Sequence, residues 1–196
     1  MDDEARDTEL INHYTKFLGQ RSCLFEFKQL DPPSPNPIIV LEFPPRAEGF
    51  DWVYVTVGAG RKPMPKTKDP KHRVEFLLYS RQCQAELAHV LAQIAAYPFV
   101  NNTLLAAGHT IAGTSHEGVI PGSPLTEFLI TPVYFEAEDF DTIRHTDGTH
   151  TEVLWATPLY LSERMFVKER GWKVLVEELF IEHEVEPADL WRARVI

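Results

Sequence analysis

The sequence predicts a domain of α/β type, one sheet with helices packed against it, and three observations carry that expectation. Short apolar runs rich in β-branched and aromatic residues recur along the chain, the composition of buried strands. A long amphipathic pattern, Gln82 to Tyr97, follows directly on one such run, Val74 to Tyr79, so its apolar stripe has a sheet to cover. The third is the stretch Gly118 to Arg144, around which the rest is organised. It opens on the turn signal Pro121-Gly122-Ser123-Pro124 and runs apolar through Phe128, Leu129, Ile130, Val133, Tyr134 and Phe135. It leaves through the carboxylates Glu136, Glu138, Asp139 and Asp141, the layout of a core strand that delivers side chains to a surface. Pro132 has no N–H to donate, so the strand is expected to break there or to lie at a sheet edge.

In chain order, residues 1–9 carry five acids and one arginine, and Leu10, Ile11, Tyr14, Phe17 and Leu18 then recur at helical spacing before Gly19. Acids at the start and glycine at the stop suit a helix, here one that covers a sheet. Cys23 to Lys28 alternates like a strand; the prolines between Asp31 and Pro37 make a stiff connector. Ile38 to Phe43 and Trp52 to Val57 are the next two strands, and Val74 to Tyr79 is the fourth. Gly58-Ala59-Gly60 is not a dinucleotide loop, because Pro63 stands where GxGxxG needs glycine and no helix pattern follows. Arg61 to Arg73 is the basic run, six positive residues against Asp69, and its prolines make it a loop, either solvated or an anion site. The Gln82–Tyr97 helix is stopped by Pro98. Asn101 to Gly118 reads as a strand or two edged by loops, Asp147-Gly148 as a hairpin turn, and Val153 to Leu161 as a strand bent at Pro158. Ser162 is placed to cap a helix ending at Gly171, a second short helix carries Leu175, Val176, Leu179 and Phe180, and a tail with Pro187 and Trp191 follows.

A chain of 196 residues with 44% hydrophobic and 24% charged side chains fits one domain, 1–196, with a core of about 22–181 between an N-terminal helix and a C-terminal tail. Its 19 basic and 29 acidic residues leave a formal charge of −10, which repels phosphate backbones and anionic lipids. Nucleic acid and membranes are thus excluded as first partners, and a basic protein or segment is favoured. Cys23 and Cys83 lie in no metal-ligand spacing, and no signal peptide or long apolar span is present, so reduced thiols in a cytoplasmic protein are expected.

The segments HRVEFLLYSR (His72 to Arg81), AELAHVLAQIAAYPF (Ala85 to Phe99), LAAGHTI (Leu105 to Ile111), PLTEFLITPVYFE (Pro124 to Glu136) and VLWATPLYLSERMFVKERGWKVLVEEL (Val153 to Leu179) come in an order that resembles the Suppressor of fused (SUFU) domain. The similarity is greater to small single-domain bacterial members than to the two-domain animal protein. The resemblance implies an α+β fold, a central mixed β-sheet flanked by helices, with no enzymatic activity and no cofactor. It implies binding of another protein, by taking up an extended peptide as an added strand or, in bacteria, by neutralising a toxin as an immunity protein. Tyr97 and the Gly108-His109 region match the peptide-gripping positions of the animal protein, which has an Asp-His pair after the glycine that this chain lacks.

Tyr97, His109, Glu127, Glu136, Glu138, Asp139 and Asp141 are therefore the candidate partner-binding residues, since a free sheet edge supplies backbone groups while aromatics and carboxylates select side chains. Taken singly, Tyr97 also fits a helix-end packing role and the acidic run a solvated loop. The alternative function is a metal-dependent hydrolase built on the cluster His145-x-Asp147-x-x-His150, with His109, His116, Glu117, Asp139 and Asp141 as further donors. That spacing matches no zinc motif and straddles a turn.

Overall fold

Strand formation follows the apolar runs. In the computed structural model, which describes residues 2–30, 34, 36–113, 118–186 and 188–196, eight strands among those residues form one mixed sheet. They are β1 (Cys23–Phe27), β2 (Ile38–Phe43), β3 (Trp52–Val57), β4 (His72–Ser80), β5 (Thr110–Ala112), β6 (Glu127–Pro132), β7 (Thr142–Arg144) and β8 (His150–Leu159). The helices are α1 (Asp3–Leu18), α2 (Glu86–Val100), α3 (Leu161–Arg170) and α4 (Trp172–Glu177), and α4 runs on into a wider turn, Glu178–Glu182. The strand order is β1-β2-β3-β4-β8-β6-β5, with β7 beside β8 as well. β4 and β8 are parallel, and every other pairing is antiparallel.

The β4–β8 pair sits mid-sheet, and its side chains alternate between two buried faces. Val74, Phe76 and Leu78 point toward α2, where Leu87, Leu91, Ile94 and Ala95 meet them. Leu77 and Tyr79 point the other way, with Trp155 and Val153 of β8, toward Leu10, Tyr14 and Leu18 of α1. A strand covered on both faces reads as a continuous apolar run, which is how VEFLLY and VLWATPLYL appear in the sequence. Each of these fully buried side chains contributes roughly 1.5–3 kcal/mol, so α1 is held by packing rather than by its own propensity. Farther along the α1 face, α3 and α4 cover Leu129 and Leu159 with Val167, Leu175 and Leu179.

Two local expectations change. Pro98 lies inside α2 and is buried, not past its end; its apolar ring faces the core, and the helix closes later through Asn101 N–H to Tyr97 O at 3.0 Å. Ser162 does not cap α3. The cap is Tyr160, whose N–H donates to Glu163 at 3.0 Å, while the Ser162 hydroxyl donates to the Ile196 carbonyl at 2.8 Å. Pro158 lies within β8, as the strand pattern expects, opposite Phe128 of β6 but with its backbone turned from it: the next carbonyl, that of Leu159, accepts from Thr126 just ahead of β6, and the Pro158 carbonyl accepts from Arg192. Pro132, as expected, ends β6.

Two buried carboxylates fix the periphery. Glu163 takes both Arg192 nitrogens, at 2.7 and 2.6 Å, which ties the tail to α3. Glu75 accepts from Thr56 Oγ1 at 2.6 Å and from the backbone N–H groups of Gly58, Ala59 and Gly60. The Gly58-Ala59-Gly60 turn is thus an anion nest filled by the protein's own carboxylate. Gly58 has φ 103°, and a Cβ there would lie 2.7 Å from the Pro37 carbonyl, so only glycine serves.

Burial pushes the Glu75 carboxyl up to about 7, against the pull of its four donors. The unfolded chain releases this proton near pH 4.5, so between about 4.5 and 7 the folded state holds more protons and loses stability as pH rises. Urea unfolding at pH 5 and pH 7.5 is expected to show that loss, on the order of 2–3 kcal/mol, in the parent protein and not in Glu75→Gln. Arg192→Ala, which strands Glu163 in the interior, is expected to cost about 3–5 kcal/mol in the same measurement.

Candidate partner-binding site

The candidate residues fall on two faces of the sheet. Tyr97, half-buried near the end of α2, lines a cleft of about 140 Å³ with Val90, Ile94, Ile111, Val119 and Phe128. The cleft runs between α2 and the β5–β6 margin and is mostly apolar. β5 has three residues and ends the strand order, so no strand pairs with its outer side among the described residues. Residues 108 and 109 lengthen its ladder toward β6, through Gly108 N–H to Ile130 O and Ile130 N–H to His109 O, both at 2.8 Å. His109 itself is exposed, with Nδ1 3.2 Å from the Leu104 carbonyl. Gly108 is required where it is: φ is 92°, and a Cβ would stand 2.4 Å from the Trp172 ring.

Glu127 begins β6 and is buried rather than presented to a partner. Its carboxylate is 3.0 Å from Arg164 Nη1, joining α3 to the sheet. Glu136 lies on the opposite face, on the loop after Pro132, where it accepts from the Tyr79 hydroxyl at 3.1 Å and from Arg46 Nη2 at 3.2 Å. Glu138 and Asp139 are exposed on the same loop. Asp141 is half-buried, and its carbonyl receives Val153 N–H at 2.8 Å. The seven residues do not form one surface. Period-two alternation decides this: Tyr79 and Trp155, against which the Glu136 loop packs, face away from α2.

His145 is a structural residue. It is buried, with Nδ1 2.6 Å from Glu9 and Nε2 2.7 Å from Thr151 Oγ1, so both ring nitrogens are engaged. Asp147 takes Arg6 at 2.9 Å and organises the hairpin turn through Thr149, and those hydrogen bonds hold its carboxyl well below the usual range. His150 instead stacks on His72, 5.1 Å between centroids, and His72 lies 3.0 Å from Glu152. The turn that separates the two histidines in sequence also separates their roles. Among the described residues no group of three or more His, Cys, Asp and Glu side chains is placed to hold a metal. His116 and Glu117 lie outside the described residues. Cys23 and Cys83 are both free thiols, and no helix among the described residues is long and apolar enough to cross a membrane.

Sequence comparison decides the family: the model of the Suppressor of fused protein (SUFU) family matches residues 34–193. The chain belongs to the Suppressor of fused family. Solved structures agree on the fold. A SUFU homolog from Neisseria gonorrhoeae FA 1090 superposes with a TM-score of 0.76 at 21% identity, over 98% of each chain. A chain in the Sufu–Fu complex gives 0.71 at 11% identity, over 98% of this chain and 91% of that one. Drosophila Suppressor of Fused gives 0.68 at 11% identity, over 96% of this chain and 50% of its own. No curated protein sequence matches this one. The expected mixed sheet with flanking helices is thus the SUFU fold.

The His145 geometry generates a test of the hydrolase alternative. His145→Ala is expected to lower the melting temperature by roughly 5–10 °C, because Thr151 and Glu9 lose their partner, whereas His150→Ala leaves it nearly unchanged. Elemental analysis of all three proteins is expected to find no stoichiometric transition metal; a metal released by either substitution supports the alternative instead.

Proposed function

We propose that this protein acts by binding another protein and catalyses no reaction. The observation that carries this reading is the apolar cleft between α2 and the β5–β6 margin, closed by Tyr97 and bordered by a strand whose outer side pairs with no other strand among the described residues. An extended segment of a partner can add to such an edge through its backbone and seat an apolar side chain in the cleft. Strand alternation turns the backbone groups of Thr110 and Ala112 outward, since the His109 carbonyl faces β6. His109 and Tyr97 then border the added strand. Support from outside the chain is modest in kind: a protein of the same fold has been crystallised as the Sufu–Fu complex.

The most specific form of the reading makes the partner a basic toxin and this chain its cytoplasmic immunity protein. It is supported by the formal charge of −10, which speeds encounter with a cationic surface and suits a nuclease-type active site. Glu138, Asp139 and Asp141 add to that field from the opposite face, whereas Glu127 and Glu136 serve it only at a distance, being committed to Arg164 and Arg46.

Calorimetric titration against a basic toxin encoded beside the gene is expected to show binding, and Tyr97→Ala and the exposed His109→Ala are each expected to weaken it about tenfold. Absence of affinity for that toxin removes the immunity form. A partner recovered from the native cell whose affinity neither substitution alters removes the cleft as the site.

A further inference from the structure

A second pocket lies on the α1 face, opposite the α2 cleft, between the loop that joins β2 to β3 and the loop that follows β6. It has a volume of about 220 Å³ and is lined by Arg46, Phe50, Asp51, Tyr79, Phe135 and Glu136. We propose that this pocket is a docking site for a lysine or arginine side chain of a protein partner. The proposal rests on the reading of the chain as a protein-binding domain, but not on the α2 cleft.

The lining has the chemistry that recognises an organic cation. Phe50 and Phe135 are 51% and 52% exposed, two large rings at the rim, and the Arg46 guanidinium already lies over the Phe50 ring, 4.8 Å from its centroid. Phe135 is held edge-on by Tyr79, Trp155 and Phe180, at 5.6 to 6.4 Å between centroids, so it is a fixed wall rather than a loose side chain. Aromatic walls of this kind take the alkyl stem of a long basic side chain and attract its charged end.

Two carboxylates complete the site: Glu136, already ion-paired with Arg46, and Asp51, the one open to a partner. The Glu136 side chain is only 3% exposed. Its Oε1 receives Tyr79 and Arg46 Nη2, and Arg46 Nη1, which also donates to the Phe17 carbonyl at 2.9 Å, stands 2.9 Å from Oε2 as its ion-pair partner. The buried Oε2 is left without a hydrogen bond. Asp51, half-buried in the same lining, receives no hydrogen bond from the described residues; burial pushes its carboxyl up, and Arg81 pulls it down only in part. An incoming cation supplies donors to Asp51.

Charge and size point the same way. Arg46 offsets one of the two carboxylates, so the lining carries a net negative charge, and exposed Glu48, Glu138 and Asp139 stand within three residues of it along the chain. Sites for drug-sized ligands span about 300–1,000 Å³, so this pocket suits a side chain better than a cofactor.

The test titrates the full-length, isotope-labelled protein with a deca-lysine peptide and reads amide chemical shifts, then repeats it with Asp51→Asn, Phe50→Ala and the charge-matched control Glu26→Gln on β1. The expected result is a cluster of shifts at Phe50, Asp51, Phe135 and Glu136. Asp51→Asn and Phe50→Ala are each expected to weaken binding about tenfold, and Glu26→Gln by no more than about twofold. Four outcomes overturn the proposal: no binding, equal weakening by Asp51→Asn and Glu26→Gln, shifts centred on Tyr97 and Ile111, or acetyl-lysine methylamide binding as tightly as the peptide. Because shifts report place as well as affinity, failure here is separable from failure of the α2 cleft.

Discussion

The parallel pairing of β4 with β8 is the constraint on which the rest of the molecule depends. Six register pairs, from His72↔His150 to Leu77↔Trp155, bring together two strands separated by roughly a third of the chain. A parallel pair needs a crossover, and here the crossover carries α2, β5, β6 and β7. One side of β8 meets β4, and the other meets first β7 and then β6. Pro132 ends β6, so residues 133–141 leave the sheet before β7 resumes the pairing. That excursion places Phe135 and Glu136 over Tyr79 and Trp155, where they wall the pocket on the α1 face.

Most charged side chains near the core hold peripheral elements to this sheet. α1 is fixed to the β7–β8 hairpin by Glu9–His145 and Arg6–Asp147, and to the turn after β3 by Asp7–Arg61. Glu163 and Arg192 hold the tail, and Glu127 with Arg164 holds α3. Buried pairs of this kind contribute little net stability against apolar substitutes, but each strongly disfavours an arrangement in which one partner is absent. They specify where helices and tail go. The partner-facing chemistry is then confined to a cleft beside α2 and an aromatic, acidic pocket on the far face.

That division explains why the site was less legible than the fold. Ile38–Phe43 and Trp52–Val57 appear in the sequence with their observed bounds, because a strand buried on both faces is a nearly continuous apolar run, broken here only by the buried Glu42 and Thr56. The α1 stop at Gly19 and the hairpin at Asp147-Gly148 are local turn chemistry, visible in a few residues. The boundaries of α2 were not, because Pro98 keeps its place in the last turn through burial that no local signal records. Glu127 and Glu136 look like surface carboxylates in sequence, and only their partners Arg164 and Arg46, some 37 and 90 residues away, show that they are not free.

Sequence by itself determined the class of fold, most of its strands and helices and the acidic field, since these follow from periodicity, turn residues and net charge, and the resemblance of its ordered segments pointed to the family. Tertiary structure decided which face each candidate residue occupies and which charges are already spent. The physical reason is that a side chain one position along a strand points to the opposite side of the sheet, and a carboxylate's partner is chosen by folding rather than by proximity in the chain. Glu75 shows both: Pro63 rules out a dinucleotide loop at Gly58-Ala59-Gly60 in the sequence, and only in space does that turn close on the protein's own carboxylate.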